Sequence, residues 1–130
     1  MIAGIGVDLV SVERIRDVVA RHGERARRRL FTLRELADCD GRADSEQCLA
    51  ARFAAKEAAF KALGTGQGPG MRWTDVEVIS GDSGRPRLEL SARTAERARE
   101  LGVSHAHLTL SHDGGSACAV VVMEGPDLSF

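Results

Sequence analysis

The stretch Glu46-Gln47-Cys48-Leu49-Ala50-Ala51-Arg52-Phe53-Ala54-Ala55-Lys56-Glu57-Ala58-Ala59-Phe60-Lys61-Ala62-Leu63 decides how the rest of the chain is interpreted. It is rich in alanine and contains neither glycine nor proline, so it predicts a helix. Gly64 follows directly and is expected to end this helix as a C-cap. The chain therefore contains a central helix, and the segments on either side can be placed relative to it.

Three apolar side chains recur along this helix at helical spacing and predict a buried stripe: Leu49, Phe53 and Phe60. Lys56 and Glu57 lie within or beside that stripe. A charged group in such a place is costly unless it is paired or binds a metal. A simple interpretation is that Glu57 pairs with Lys61, four residues further along the helix, as on many surface helices.

Before this helix, the alternation of Ile5, Val7 and Leu9 predicts a strand. Ser11 then predicts the N-cap of a helix that runs into the twenties, and Thr32 with Glu35 predicts a capping box. After it, the predicted elements are strands at 73–79 and 87–90, a helix at 92–101 and a hairpin of strands 107–112 and 117–123. We therefore expect an α+β fold in a single domain, 1–130, with helices early and a mainly antiparallel sheet late.

The composition narrows the function classes. The chain has 130 residues, 43% of them hydrophobic, and a net charge of −1, which excludes simple charge-driven binding to nucleic acid. It has no basic leader and no apolar run long enough to cross a bilayer, so we expect a cytoplasmic protein without membrane contact. Cys39, Cys48 and Cys118 are predicted to be free thiols in a reducing compartment, with Cys118 in the core.

Two carboxylates are candidate ligands of a divalent cation. Asp8 ends a strand whose same-side neighbours are glycines, and Glu57 lies on the central helix. Magnesium typically takes one or two protein carboxylates and completes its shell with waters and phosphate oxygens. The alternative for Asp8 is an acid that stabilises the helix N-terminus near Ser11.

The phosphate-binding candidates follow. Lys61 precedes the glycine-rich segment Gly64-Thr65-Gly66, whose backbone N–H groups could face an anion, although most such segments are ordinary loops. His112, between Ser111 and Asp113, is a candidate phosphate donor, general base or structural imidazole. His105 and His107 share a strand face, but no third zinc ligand is evident.

The first helix and the segment after it are rich in arginine: Arg14, Arg16, Arg21, Arg25, Arg27, Arg28 and Arg29. This pattern fits a solvated basic face or a docking surface for an acidic protein. Nucleic acid is a third option, but the chain lacks interleaved aromatic residues and any recognisable binding module.

Several segments, which follow one another in the order typical of the family, resemble the holo-acyl-carrier-protein synthases, the small trimeric branch of the phosphopantetheinyl transferases. The segments are Gly4-Ile5-Gly6-Val7-Asp8, Thr32-Leu33-Arg34-Glu35-Leu36, Ala51-Arg52-Phe53-Ala54-Ala55-Lys56-Glu57-Ala58, Lys61 with Gly64-Thr65-Gly66, Trp73-Thr74-Asp75-Val76-Glu77-Val78, Gly84-Arg85-Pro86 and Leu110-Ser111-His112. The resemblance covers nearly the whole chain. It implies the 4'-phosphopantetheinyl transferase fold and a homotrimer with active sites between subunits.

The resemblance also implies an activity and residue roles. The enzyme would transfer 4'-phosphopantetheine from coenzyme A to a serine of an apo acyl carrier protein and release 3',5'-ADP, serving fatty acid biosynthesis and lipid metabolism. It implies Mg²⁺ as cofactor, bound by Asp8 and Glu57. The implied coenzyme A contacts are Lys61, Gly64, Thr65, Gly66, Pro86, Ser111 and His112. The implied carrier-binding residues are Arg14, Arg21 and Arg25.

The group that removes the serine proton stays open between a metal-bound water, Glu57 and the pair His112–Asp113. The alternative to the transferase is a non-catalytic module that holds an acidic protein or RNA on its arginine helix. Such a module would need none of Asp8, Glu57 and Lys61, so their co-occurrence favours the enzyme.

Overall fold

The computed structural model describes residues 1–127. Its elements in chain order are β1 (Ile2–Ser11), α1 (Val12–Leu30), α2 (Leu33–Cys39), α3 (Ser45–Ala62), a 3₁₀ turn (Trp73–Asp75), β2 (Val76–Ser80), β3 (Pro86–Leu90), α4 (Ala92–Glu100), β4 (His105–Asp113) and β5 (Ser116–Glu124). The strand pairs β1–β5, β4–β5 and β2–β3 are all antiparallel. The prediction of an α+β fold with early helices and a late antiparallel sheet is confirmed.

Helix α3 lies at the centre of the molecule and is buried around most of its circumference. Strands β1 and β5 pack on it, as do α1, α2 and β2. The predicted stripe is therefore too narrow, because the alanines on the other faces are buried as well, while Phe53 is only partly buried. Within residues 1–127, neither α3 nor any other helix is both long and apolar enough to cross a membrane.

Two glycines allow β1 to pack directly on the backbone of α3. A Cβ atom at Gly4 would lie 2.0 Å from the carbonyl oxygen of Ala62, and one at Gly6 would lie 1.9 Å from that of Ala58. No side chain fits at such distances, so the close approach requires glycine at both positions. Asp8 follows on the same face of the strand and is thereby brought to α3.

The main sheet has the strand order β1-β5-β4, so β5 is its central strand. The inner face of β5 is buried against α3 through side chains such as Ala119 and Val121. On the outer face, Ile5, Val7 and Leu9 of β1 are 63%, 55% and 70% exposed. The sheet therefore presents apolar side chains on the face that turns away from the core.

A buried ion pair joins α3 to two of the elements that surround it. Lys56 and Glu35 are both fully buried, and Lys56 Nζ lies 2.7 Å from Glu35 Oε1. Lys56 Nζ also donates to the carbonyl oxygens of Trp73 and Val76, and the backbone N–H of Val78 donates to Glu35 Oε2. Burial lowers the pKa of Lys56, and the Glu35 carboxylate opposes that shift. The pair therefore connects α3, α2 and β2.

Both predicted N-caps are confirmed. The Ser11 side chain accepts from the backbone N–H of Arg14, and Thr32 and Glu35 form a reciprocal capping box. Helix α1 differs from the prediction in one respect, because Gly23 has φ 61° and ψ −144° and kinks it. Such backbone angles are accessible to glycine and not to residues with a side chain.

The strand predicted from Trp73 begins at Val76. The backbone N–H of Val76 donates to the carbonyl oxygen of Trp73 and closes residues 73–75 into a 3₁₀ turn, which Asp75 Oδ2 caps by accepting from the backbone N–H of Arg72 at 3.1 Å. A carboxylate that bonds the backbone three residues earlier favours a turn over an extended chain.

The prediction of three free thiols is wrong for two of them. Cys39 and Cys48 form a disulfide, and only Cys118 is free among the cysteines. Cys39 ends α2 and Cys48 lies in the first turn of α3, so the connecting turn brings their Cα atoms to 5.6 Å, within bridging range. Cys118 is also not a core residue, because it is partly exposed on the outer face of the sheet.

We expect Lys56→Met to lower the free energy of unfolding by about 3–5 kcal/mol, because it leaves the buried Glu35 carboxylate without its counter-charge. The matched control is Lys61→Met, whose side chain is 51% exposed and whose loss should change stability by less than about 1 kcal/mol. Urea denaturation can be followed by the fluorescence of Trp73, the one tryptophan. Equal effects of the two substitutions would contradict the structural role of Lys56.

Candidate functional site

Asp8 and Lys61 meet where β1 crosses the C-terminal half of α3. Lys61 Nζ lies 3.0 Å from Asp8 Oδ1 and 3.0 Å from the carbonyl oxygen of Val7. The side chain of Asp8 is 17% exposed and that of Lys61 is 51% exposed. The aspartate is therefore held in place and partly shielded, while the ammonium group stays accessible to a ligand.

Glu57 lies one helical turn before Lys61 and is half-buried. Burial raises the pKa of Glu57, and the nearby charge of Asp8 raises it further, whereas Lys61 and Arg14 oppose the shift. The simple interpretation of a Glu57–Lys61 ion pair is wrong, because no such pair is formed within residues 1–127 and Lys61 bonds to Asp8 instead. The structure thus brings Asp8, Glu57 and Lys61 together.

This cluster contains two carboxylates and no third protein ligand. Within the described residues, no group of three or more His, Cys, Asp or Glu side chains is arranged to hold a metal ion. Of the two histidines considered for zinc, His107 has its Nε2 3.0 Å from Glu124 Oε1, so a carboxylate engages that ring nitrogen. Two carboxylates suit a hard cation that takes its other ligands from water and phosphate.

The glycine-rich segment begins directly at the end of α3. Gly64 and Gly66 have φ values of +76° and +59°, which favour glycine. The N–H groups of Gly64 and Thr65 donate to the carbonyl oxygens of Lys61 and Phe60, so they complete the helix end. Within residues 1–127 the N–H of Gly66 has no such partner, which makes it the group of this segment that can face an anion.

The remaining predicted contacts form a second group. A groove of about 270 Å³ is lined by Pro86, Ser111 and His112, and also by Arg42, Asp44, Cys48, Ala51, Arg52, Ser80, Gly84, Thr109 and Leu110. Asp8, Glu57 and Lys61 do not line it. The carboxylate that faces His112 is Asp44, at 3.9 Å, while Asp113 lies at the end of the hairpin, paired with Ser116.

Two arginines of this groove were not assigned a role from the sequence. Arg52 is buried on α3, donates to Ser80 Oγ at 2.8 Å and to Cys48 Sγ at 3.0 Å, and its Nε has no hydrogen-bond partner. Burial lowers the pKa of Arg52, and Asp38 at 3.7 Å opposes the shift. A buried donor without a partner is uncommon in folded proteins and marks Arg52 as a residue with a role beyond packing. The signal in the sequence was an arginine within an alanine-rich buried helix.

The arginines of α1 lie on both sides of the Gly23 kink. Arg14 and Arg21 line an open groove of about 370 Å³ together with Ser11 and Asp17. Arg25 lines a neighbouring groove of about 310 Å³ beyond the kink. The three predicted docking residues therefore share one side of the helix but belong to two adjoining grooves.

The family model of the 4'-phosphopantetheinyl transferase superfamily matches residues 4–121. The holo-[acyl-carrier-protein] synthase of Anaeromyxobacter sp. (strain K) is 51% identical over 128 residues, which cover 96% of this chain and 98% of the relative. That of Trichlorobacter lovleyi is 45% identical over 126 residues, which cover 97% of this chain and 100% of the relative.

Solved structures agree. The crystal structure of holo-[acyl-carrier-protein] synthase from Neisseria meningitidis matches with a TM-score of 0.86 and 32% identity, over 95% of this chain and 99% of that one. The enzyme of Helicobacter pylori in complex with coenzyme A matches with a TM-score of 0.82 and 32% identity, over 92% and 99%. The predicted fold type is confirmed.

The electrostatics of Glu57 give a pH-dependent prediction. A carboxyl whose pKa is raised by folding binds its proton more tightly in the folded state, so its ionisation opposes folding at neutral pH. We expect Glu57→Gln to raise the thermal midpoint at pH 7 in metal-free buffer. The gain should shrink as the pH falls from the raised pKa that Glu57 has in the folded protein towards about 4.3, and it should be lost below that pH, where the carboxyl is protonated even when unfolded.

The control is Glu89→Gln, which removes an exposed carboxylate 3.8 Å from Arg87 and should show no such gain. Differential scanning calorimetry at several pH values measures both variants. A Glu57→Gln midpoint at or below that of wild type at pH 7 would mean that Glu57 is not under electrostatic stress.

Proposed function

This chain belongs to the 4'-phosphopantetheinyl transferase superfamily, and we propose that it works as a holo-[acyl-carrier-protein] synthase with the cluster Asp8–Glu57–Lys61 at its reaction centre. It transfers the 4'-phosphopantetheine group from coenzyme A to a serine of an apo acyl carrier protein and releases 3',5'-ADP. The family assignment made from the motifs is confirmed. The observation that carries the proposed centre is the meeting of two carboxylates and an accessible lysine at one point.

The reaction is a phosphoryl-type transfer. The serine oxygen attacks the β-phosphorus of coenzyme A, the bond from that phosphorus to the bridging oxygen breaks, and 3',5'-ADP leaves with the bonding electrons. The protein must chiefly offset the charge that gathers on the pyrophosphate oxygens. Lys61 Nζ supplies one positive charge at this place, and Asp8 and the carbonyl oxygen of Val7 hold it there.

We assign Mg²⁺ to Asp8 and Glu57. The fit rests on the donor set and its electrostatics, because burial and then the charge of Asp8 raise the pKa of Glu57, and a divalent cation would offset both effects. A site with two carboxylates also leaves positions for phosphate oxygens and water. When bound, Mg²⁺ supplies positive charge to the pyrophosphate group.

The proposed coenzyme A contacts fall into two groups, one at the Asp8–Glu57–Lys61 cluster and one in the groove that contains His112. Lys61 and Gly66 lie at the reaction centre, next to Gly64 and Thr65, which shape the loop. Pro86, Ser111 and His112 line the separate groove, where Arg42 and Arg52 add positive charge. The charges of these two guanidinium groups suit a negatively charged part of coenzyme A, such as a phosphate.

A homotrimer would bring the two groups together. Within one chain, β5 separates β1, which carries Asp8, from β4, which carries His112. Adjacent strands are about 4.8 Å apart, so the two strands lie roughly 10 Å from each other. The apolar outer face formed by Ile5, Val7 and Leu9 is the surface that we propose for self-association. A neighbouring copy could then present its groove to the reaction centre.

This arrangement bears on the serine proton. Glu57 lies at the reaction centre, whereas His112 lies in the groove beside Asp44. Glu57 is therefore the proton acceptor available within one chain, and His112 could act only from a neighbouring copy. The pairing of His112 with Asp113 is not part of this proposal, because Asp44 is the carboxylate that faces the imidazole.

We propose that the carrier docks on α1. Arg14 and Arg21 line the groove beside the reaction centre, and Arg14 is close enough to affect the pKa of Glu57. A carrier helix with acidic side chains would place its serine near Glu57 and Lys61, with Arg25 contacting the part of the carrier beyond the kink. We also propose that the enzyme acts in the cytoplasm and that its carrier belongs to fatty acid biosynthesis.

The first test incubates an apo acyl carrier protein with this chain, coenzyme A and MgCl₂ and measures the intact mass of the carrier. We expect a mass gain of one phosphopantetheine group, lost with EDTA and lost in Asp8→Ala. The matched control is Asp82→Ala, which changes an exposed aspartate in the β2–β3 turn and should keep full activity.

Three results would contradict parts of this proposal. No mass gain with several carriers would favour a module that only binds an acidic partner. A mass gain that persists in EDTA would contradict the proposed requirement for Mg²⁺. Full activity of Asp8→Ala would contradict the assignment of Asp8 as a metal ligand.

The docking surface predicts a selective effect of charge reversal. Arg21→Glu should raise the KM for the carrier roughly tenfold at low salt and leave the KM for coenzyme A unchanged, because it reverses a charge at the carrier groove. Arg99→Glu, an exposed arginine on α4, is the control and should change neither constant. An equal effect of both substitutions would indicate a general charge effect.

A further inference from the structure

Helix α4 is fixed against the 3₁₀ turn through one backbone carbonyl. The backbone N–H of Ser91 and the hydroxyl of Thr94 both donate to the carbonyl oxygen of Asp75, at 2.9 and 3.0 Å. Thr94 is fully buried. The orientation of α4 is therefore set independently of the glycine-rich segment that lies beside it.

Two arginines of α4, spaced one helical turn apart, lie against the segment 64–70. A Cβ atom at Gly64 would be 3.8 Å from Arg97 Nη2, and one at Gly70 would be 3.9 Å from Arg93 Cγ. Residues four apart share a helix face, so α4 contacts both ends of the segment.

Arg97 also makes a specific bond to the end of α3. Its Nε donates to the carbonyl oxygen of Leu63 at 3.1 Å. Leu63 is fully buried and directly precedes Gly64. A buried carbonyl that loses its donor tends to rotate towards another partner, which would turn the Leu63–Gly64 peptide plane at the start of the segment.

We propose that Arg97 is a positioning residue for the Gly64–Gly66 segment and thereby for the binding of coenzyme A. This inference rests on the proposed function, because it assumes that the segment contacts coenzyme A. By holding the Leu63 carbonyl, Arg97 fixes the Leu63–Gly64 peptide plane, from which the chain runs on through Thr65 to the Gly66 N–H. Its effect is transmitted through the loop.

The experiment measures coenzyme A binding by isothermal titration calorimetry in MgCl₂, followed by steady-state kinetics. We expect Arg97→Ala to weaken coenzyme A binding about 3- to 10-fold, the equivalent of one lost hydrogen bond. The KM for coenzyme A should rise by a similar factor, while the KM for the carrier stays unchanged. Arg97→Lys keeps a donor and should recover part of the affinity.

The matched control is Arg99→Ala. Arg99 is an exposed arginine of the same helix, and within residues 1–127 its side chain forms no hydrogen bond or ion pair with the segment. This variant should bind coenzyme A as wild type does. Should Arg97→Ala be too unstable to measure, Arg97→Met carries the test, because it keeps the aliphatic stem and removes the donor, and it should bind coenzyme A about 3- to 10-fold more weakly than wild type.

The inference is overturned if Arg97→Ala binds coenzyme A as tightly as wild type. It is also overturned if both KM values rise together, or if Arg97→Lys binds no better than Arg97→Ala. Failure of the wild-type protein to bind coenzyme A is a different result, because it would refute the proposed function on which the inference depends.

Discussion

The ion pair between Lys56 and Glu35 is the interaction on which the rest of the structure depends. Both side chains are fully buried, so neither charge can be left without the other. The pair fixes the rotation of α3, because Lys56 must point towards α2 and β2. Adjacent residues of a helix point about 100° apart, so Glu57 is then directed away from the pair and towards β1, which carries Asp8. The geometry of the Asp8–Glu57–Lys61 cluster thus follows from an ion pair that lies outside it.

The proposed reaction centre opposes folding, because burial and the charge of Asp8 raise the pKa of Glu57. Asp8 and Glu57 are brought close together because β1 packs on α3. That packing depends on the close backbone approach at Gly4 and Gly6 and does not require the carboxylate of Asp8. Lys61 compensates only in part, since it bonds Asp8 and leaves Glu57 with a raised pKa. Such stress is common where charged groups are brought together at a functional site.

Features with local causes could be predicted from the sequence. The caps at Ser11 and Thr32, the end of α3 at Gly64 and the final hairpin depend on residues a few positions apart. Features that depend on tertiary packing could not. The partner of Lys61 is Asp8, more than fifty residues away, and the disulfide depends on how α2 turns back on α3. The arrangement of His112 beside Asp44 and the kink at Gly23 likewise needed the folded backbone.

The strand order has a consequence for synthesis on the ribosome. Strand β1 is made first, yet its partner in the sheet is β5, so residues 2–11 must wait for residues 116–124. Strand β4 waits for the same partner. In a nascent chain, the backbone N–H and C=O groups of β1 therefore have no strand partner through most of translation. An unpaired apolar strand of this kind is prone to aggregate. Helix α3 can shield one face of that strand before β5 emerges, since Gly4 and Gly6 need only its backbone. The glycines thus serve the growing polypeptide as well as the finished one.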